Sequence, residues 1–533
     1  MSDANRLPII IIGSGAAGMS AALSLAPHPV ILMTQTPSLW SGSTPWAQGG
    51  LAAAMADGDS SLAHARDTLT AGAGLSDKDA VQLLTLAAPD VLDHLIDNGF
   101  PADREANGSV SLGREGGHSA HRIVHSGGDR SGRALAMTLL DQVEKCPSIS
   151  VMTDSFAWQV VQDKAGRVTG LLIRHAVRGW MQLPAAAVIV ATGGIGQLFE
   201  VTTNPAESTG DGLALAARAG AALRDVEFMQ FHPTGLKLPE GLSQTQSPLI
   251  SEALRGAGAL LVDQAGNRFM QHRHKLAELA PRDVVTRGIV EVQQKGGTAY
   301  LDLRPVAKTH GEAAFPQAFE GARDAGYDPL STPVPIGPTA HFHMGGIRTD
   351  LRGRTTVEGL YAIGEVAATG LHGANRLASN SLTEALVMGR QVASALRKDG
   401  ATDRTGTART QTVPCPVQSG NGPVVTATLK SIASRALGPV RTGKGLQQAL
   451  AEFARLSEQS HQSADDAAGL EARNLTLVAR LLTVAALLRT ESRGGHGRSD
   501  YPETDPSQAH SRDLIWPADL HQMSASTKPL ISA

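Results

Sequence analysis

Ile9-Ile10-Ile11-Ile12-Gly13-Ser14-Gly15-Ala16-Ala17-Gly18 is the stretch that decides the fold. Four β-branched apolar residues in a row, with no polar alternation, read as a strand buried on both faces. A glycine turn follows at once. An alanine-rich helix runs from it to Leu25, where Pro27 and Pro29 stop it, and Val30–Met33 is the next strand. Strand, turn, helix and strand make a βαβ unit. In such a turn Gly13 permits the tight exit, Gly15 lets the backbone approach a pyrophosphate, and Gly18 allows the helix to pack closely. The phosphates would rest on the helix N-terminus, beside Ser14, Ala16 and Ala17.

The second strand ends Leu32-Met33-Thr34-Gln35, without the acid that grips a ribose diol in nicotinamide sites. The Thr34 hydroxyl binds a ribose less tightly than a carboxylate does, which counts against a simple NAD site. The segments beyond fit a flavin better. Ser41 and Gly42-Ser43-Thr44-Pro-Trp-Ala-Gln48-Gly49-Gly50 form a polar, glycine-rich run whose amides can meet flavin heteroatoms. Ala186–Ala191 is a further buried strand, leading into Thr192-Gly193-Gly194. Thr209-Gly210-Asp211-Gly212 opens an alanine-rich helix. Leu360–Ile363 leads into Gly364-Glu365, an acid at a strand end suited to ribityl hydroxyls. Ser379-Asn380-Ser381-Leu382 opens a helix whose N-terminus suits the ring edge where reduction places negative charge. Ala191, Thr192, Gly193 and Asp211 are expected to share the cofactor wall with these residues.

The expected class is α/β. If the three strand-to-glycine junctions converge, a Rossmann-like dinucleotide domain is discontinuous, in two parts at 1–225 and 341–405 with an insertion at 226–340. Residues 406–423, rich in Thr, Pro, Gly and Ser, read as a linker. Over 424–533, Val425, Leu429, Ile432 and Ala436 share one face. Leu446, Ala449, Leu450 and Phe453 form a second stripe, and Leu475, Val478, Leu482 and Ala485 a third. These predict a C-terminal three-helix bundle, followed by a polar tail, from about 499, that is weakly specified. Of the 533 residues 42% are apolar and the net charge is −3. The balance argues against nucleic-acid binding driven by charge, and the apolar share against general disorder. Two cysteines, Cys146 and Cys415, allow no disulfide framework and no cysteine-based zinc site. No apolar run reaches the roughly 18 residues of a membrane span, and the N-terminus lacks a signal-peptide layout. A soluble, cytoplasmic protein is expected.

Taken in order, further segments strengthen the case: Arg114-Glu115-Gly-Gly-His118, Phe231-His232-Pro-Thr234, Glu252-Ala-Leu-Arg-Gly256, Leu279-Ala-Pro-Arg282-Asp283, His341 with Gly345-Gly346, Gly370 through Leu382, and Glu491-Ser-Arg-Gly494. With the glycine motifs, the chain resembles the flavoprotein family of L-aspartate oxidases and succinate dehydrogenase/fumarate reductase flavoprotein subunits. The resemblance implies FAD, an α+β capping domain over the flavin, and a dicarboxylate substrate. Three features point to the aspartate-oxidase branch. Ser43 stands where the dehydrogenase branch usually has the histidine that carries FAD covalently, so FAD is expected to be non-covalent. Glu115 stands where aspartate oxidases supply a carboxylate for the substrate ammonium. The segment from Ser43 to Gly50 is itself of that type.

The resemblance then implies roles. Arg376 and His341 bind one substrate carboxylate; His232 and Ser251, with Glu252 alongside, bind the other. Arg282 lies between them, holding and polarising the substrate, and Glu115 faces the amino group. The implied reaction takes L-aspartate to iminoaspartate by hydride transfer to flavin N5, with reoxidation by dioxygen, giving hydrogen peroxide, or by fumarate. This is the first step of de novo NAD synthesis, with iminoaspartate handed on to quinolinate synthase by a monomer or homodimer. The alternative is a soluble fumarate reductase or succinate dehydrogenase flavoprotein. Each residue also has a structural reading: Arg376 as a helix cap, His232 as a core histidine, Arg282 paired with Asp283, Glu252 paired with Arg255. No metal, nucleic-acid or membrane site is expected. Ser251 in place of a common Thr, and Met344 beside Gly345, are departures that remove no charged contact.

Overall fold

The run Ile9–Ile12 is the middle strand of a five-stranded parallel sheet in a computed structural model that describes residues 6–239, 244–406, 409–416, 422–460 and 466–516. Across the sheet the order is Leu360–Ala362, Ala187–Val190, Ile9–Ile12, Val30–Met33 and Ile149–Met152. Ile11 pairs with Ile189 on one side and Leu32 on the other. Alternation explains why the run is apolar throughout. Ile9 and Ile11 face a core that includes Met19, Leu84 and Leu396. Ile10 and Ile12 face a second core with Leu171, Leu183 and Val478.

The three strand-to-glycine junctions converge because their strands are neighbours and parallel. Gly13 has φ 113°, and a Cβ there would stand 2.2 Å from the Ala191 carbonyl oxygen. Only glycine allows that approach. A Cβ on Gly18 would stand 1.9 Å from the Gly13 oxygen, so the helix Ala16–Leu25 lies hard against the turn. The helix Asn380–Lys398 packs on it from the same side. An antiparallel sheet of Ser155–Gln162, Val168–His175 and Gly179–Pro184 covers the other side.

The insertion has its own sheet, ordered Met229–Leu236, Val334–His343, Ala299–Asp302 and Leu260–Val262, with its own apolar core. Val334–His343 runs through the boundary expected at 340/341, because Phe342 and His343 continue the ladder opposite Gln230 and Met229. The C-terminal helices Gly422–Ala436, Gly443–Ser460 and Ala467–Leu488 pack on one another, and the last also packs on Asp211–Arg218. Two segments are better ordered than their composition suggests. Gln411–Thr412, within the expected linker, pairs with Gln182 and Met181 as an edge strand. Asp513–Leu514, within the expected weak tail, pairs with Leu223–Arg224. Among the described residues no helix is long and apolar enough to cross a membrane.

Candidate active site

A cavity of about 990 Å³ opens at the carboxyl ends of the three central strands and runs under the insertion. That is the upper end of the range of roughly 300–1,000 Å³ for small-molecule sites. Its walls include Gly13, Ser14, Gly15, Ala16 and Ala17, then Thr34, Ser41 through Thr44, Gln48, Gly49 and Gly50. Ala191, Thr192, Gly193, Asp211, Gly364, Glu365, Ser381 and Leu382 line it too. The turn is held open by its own hydrogen bonds: the Ala16 N–H donates to Thr44 Oγ1 at 2.9 Å, and Ser14 and Ser41 hydroxyls pair at 2.9 Å. Ser43 Oγ, Thr192 Oγ1 and Gln48 Oε1 are buried in this wall without a partner among the described residues. Buried polar groups of this kind call for a ligand.

Two residues expected on the cofactor stand behind the wall instead. Gly18 serves the packing described above. Asn380 is fully buried, and its amide is used up by His64 Nε2 at 2.8 Å and Thr68 Oγ1 at 3.0 Å. Asp211 borders the cavity, yet one oxygen accepts from Thr209 and the other from Asn474.

The charged side chains expected at the substrate end border the same cavity. Arg282, from the first turn of the insertion helix Arg282–Gln294, donates through Nε to Glu252 Oε2 at 2.7 Å and through one terminal nitrogen to Gln230 Oε1 at 2.7 Å. Glu252 takes Arg255 on its other oxygen at 2.8 Å. Burial pushes the Glu252 carboxyl up, but Arg282 and Arg255 outweigh it and hold it ionised below its usual range. With both oxygens engaged, Glu252 acts by fixing Arg282. Asp283 pairs with Arg287 at 2.7 Å, so the Arg282–Asp283 pair is not formed. Arg376 reaches the same space from the Gly370–Leu382 segment, stacked 4.5 Å from the Phe342 ring centroid. Burial and the nearby Arg282 bring its pKa down to about 9, which leaves it cationic at neutral pH.

His232 and His341 lie edge to face, 5.1 Å between centroids. Burial first, and then the surrounding arginines, keep both well below the usual histidine range, so both are neutral. Their tautomers follow from their partners. Arg376 can only donate, so His341 Nε2 accepts from it at 3.1 Å and Nδ1–H faces Thr203 Oγ1 at 2.8 Å. The Thr234 N–H donates to His232 Nδ1 at 3.3 Å, so the His232 proton sits on Nε2, which is buried without a partner. Ser251 Oγ is likewise buried and unpartnered. Glu115 lines the same cavity, with Oε2 accepting from Ser379 Oγ at 2.7 Å.

All seven residues expected at the substrate end therefore border one cavity. Sequence reasoning missed Gln230, whose amide also donates to Asn375 Oδ1 at 2.8 Å and the Arg376 carbonyl at 2.9 Å, tying the two arginines together. Its position two before His232, on the same strand, is the signal that finds it. Thr203 was also missed, and Ser379, expected only at the helix N-terminus beside the flavin, is in addition the partner of Glu115. Among the described residues no group of three His, Cys, Asp or Glu is placed to hold a metal.

The family described as FAD binding domain matches residues 8–382, and that described as fumarate reductase flavoprotein C-term matches 426–532. An L-aspartate oxidase of Streptomyces coelicolor is 42% identical, over 93% of this chain and 89% of its own length. One from Mesorhizobium japonicum is 43% identical, over 94% and 93%. The chain belongs to the L-aspartate oxidase family. Its fold is shared with E. coli quinol fumarate reductase FrdA (TM-score 0.86, 30% identity, 99% of this chain and 96% of that one). A quinol-fumarate reductase with menaquinol molecules is as similar (TM-score 0.87, 31% identity, 96% of each chain). Members of the L-aspartate oxidase family are FAD-dependent oxidoreductases, and FAD is the cofactor here. The residues present fit it: the glycine turn admits a pyrophosphate, and the orphaned Ser43, Thr192 and Gln48 atoms await polar partners.

Proposed function

We propose that the protein oxidises L-aspartate to iminoaspartate, with FAD held non-covalently along the glycine-rich wall of the cavity. The observation that carries this reading is the Glu115 carboxylate, set beside a cluster of arginine and neutral histidine donors in one buried cavity. A dianion such as succinate needs the donors alone; L-aspartate also needs an anion for its ammonium. FAD, held by the glycine turn and the Ser41–Gly50 segment, would supply the hydride acceptor, with dioxygen (giving hydrogen peroxide) or fumarate as the final acceptor of the electrons. Ser43 is a hydroxyl residue and cannot form the imidazole link of the dehydrogenases.

Arg376 presents a guanidinium to one substrate carboxylate beside His341, and Nε2–H of His232 with the Ser251 hydroxyl receives the other. Arg282, locked by Glu252 and Gln230, holds the substrate between them. Both histidines stay neutral and add no charge beside the arginines: His232 donates from Nε2, while His341 accepts from Arg376 and steadies its guanidinium. Glu115 receives the ammonium and takes its proton as the imine forms. A cytoplasmic place at the start of NAD synthesis, with iminoaspartate passing to quinolinate synthase, completes the proposal. The same donor set fits fumarate, which supports fumarate reduction as a second reaction of this site.

Two measurements test this. Acid precipitation is expected to leave yellow flavin in the supernatant. The purified holoenzyme in air is expected to form peroxide from L-aspartate; peroxide from succinate alone overturns the assignment. Glu115→Gln is expected to lower kcat/KM for L-aspartate about 100-fold while fumarate reduction falls far less. Equal losses remove the ammonium role.

A further inference from the structure

Ser379 stands at the N-cap of the helix Asn380–Lys398, where a serine hydroxyl ordinarily accepts from the helix's own N–H groups. Here it makes no such bond. Its backbone is left-handed, with φ 60° and ψ 1°, which is uncommon outside glycine. The hydroxyl is turned to Glu115 and donates to Oε2 at 2.7 Å. The two residues lie 264 positions apart in sequence, both are buried, and both line the cavity. Gly49 covers the pair from the flavin segment: a Cβ there would stand 3.2 Å from Ser379 Oγ and 3.3 Å from Glu115 Oε1. The Glu115 loop is tied to the same segment a second time, by His118 Nε2 on the Ala378 carbonyl at 2.9 Å. Among the described residues Glu115 Oε1 has no hydrogen-bond partner.

We infer that Ser379 is a positioning residue for substrate choice, holding the Glu115 carboxylate with Oε1 toward the ammonium of an amino-dicarboxylate. This rests on the reading of Glu115 as the ammonium acceptor. A glutamate has several rotatable bonds, and an ion contact in a closed site needs one of its orientations. The His118 tie places the loop; the Ser379 hydroxyl places the carboxylate. The left-handed backbone is what frees that hydroxyl from its capping position. A dicarboxylate without an ammonium makes no use of the arrangement.

The test uses holoenzyme variants. Ser379→Gly keeps the left-handed backbone without strain and deletes the donor. Ser379→Asn tolerates the same backbone and restores a donor. The readouts are kcat and KM for L-aspartate with dioxygen, the rate of fumarate reduction, the inhibition constant of succinate against L-aspartate, and FAD bound per chain. Ser379→Gly is expected to lower kcat/KM for L-aspartate about tenfold, chiefly through KM, the size of one hydrogen bond to a charged group. Fumarate reduction and succinate inhibition are expected to stay within about twofold, and Ser379→Asn to recover part of the loss. Equal losses with both substrates, an unchanged L-aspartate KM, or loss of FAD overturns the inference. Glu115→Gln separates the two readings. If it is selective against L-aspartate and Ser379→Gly is not, only the role of Ser379 falls; if it is not selective, the reading of Glu115 falls first.

Discussion

His64 shows what a single buried side chain does to the molecule's response to acid. It donates from Nε2 to Asn380, its Nδ1 has no partner, and burial lowers its pKa to about 4. In the folded chain it is neutral at pH 7 and stays so on acidification. The unfolded chain takes up the proton near pH 6.5. Stability is therefore lost as pH falls from about 6.5 to about 4, at a cost of roughly 3 kcal/mol from this group. Measured by urea unfolding at pH 7 and pH 4, the gap in stability between the parent and His64→Gln is expected to shrink by that amount. A constant gap places the acid sensitivity elsewhere. The same residue explains a limit on what can be read from sequence. Asn380 sits at a helix N-terminus in a motif that faces a cofactor, and reads as a ligand. Its amide is claimed by a histidine 316 positions away, for which no local spacing gives notice. Gly13 was legible because its turn carries its own reason; His232 and Arg376 were singled out only through the family resemblance, and the fold sets both on the cavity wall.

Among the elements, the helix Ala467–Leu488 does more than complete a bundle. Its Asn474 donates to Asp211 at 2.6 Å and accepts from Arg218 at 2.7 Å, joining both ends of the helix Asp211–Arg218 to the C-terminal domain. Asp211 is buried, and burial pushes its carboxyl up, so a lost donor is felt. Asn474→Ala is expected to cost about 1–3 kcal/mol in denaturant unfolding. It is also expected to weaken FAD retention, measured by equilibrium dialysis, because Asp211 borders the cavity. Unchanged unfolding shows the clasp to be dispensable. The helix was evident from its apolar stripe; the clasp was not, since a lone Asn on a helix reads as solvated. The edge strand Gln411–Thr412 escaped notice for a related reason. Backbone pairing at a sheet edge needs no particular side chain, so a Thr- and Pro-rich run gives no sign of it.

Over the whole molecule, the chain beyond the bundle locks the domains together. Arg489 is fully buried and bonds Glu227 and Glu491 while lying 3.5 Å from Asp225. Arg493 also pairs with Glu491 at 2.9 Å and donates to the Ala73 carbonyl at 2.7 Å. Removing one member of a buried set leaves the others uncompensated. Arg489→Met is expected to cost about 3–5 kcal/mol, read from urea midpoints; a loss under about 1 kcal/mol would show the set to be no more than a surface pair. The tail expected to be weakly specified joins this set through the Asp505 N–H, which donates to Glu491 Oε2 at 2.9 Å, a contact that no periodicity announces. The order of strands in the central sheet has a consequence for synthesis. Ile9–Ile12 leaves the ribosome early with Val30–Met33, but its other neighbour, Ala187–Val190, and the outer strand Leu360–Ala362 come much later. Until then the nascent chain carries a bare, isoleucine-rich strand edge, the kind of surface that pairs with other chains. Leu382, on the cavity wall, emerges later still, so the cavity that takes FAD is complete only after most of the chain has been made, and overexpression without chaperones is expected to yield flavin-free aggregate.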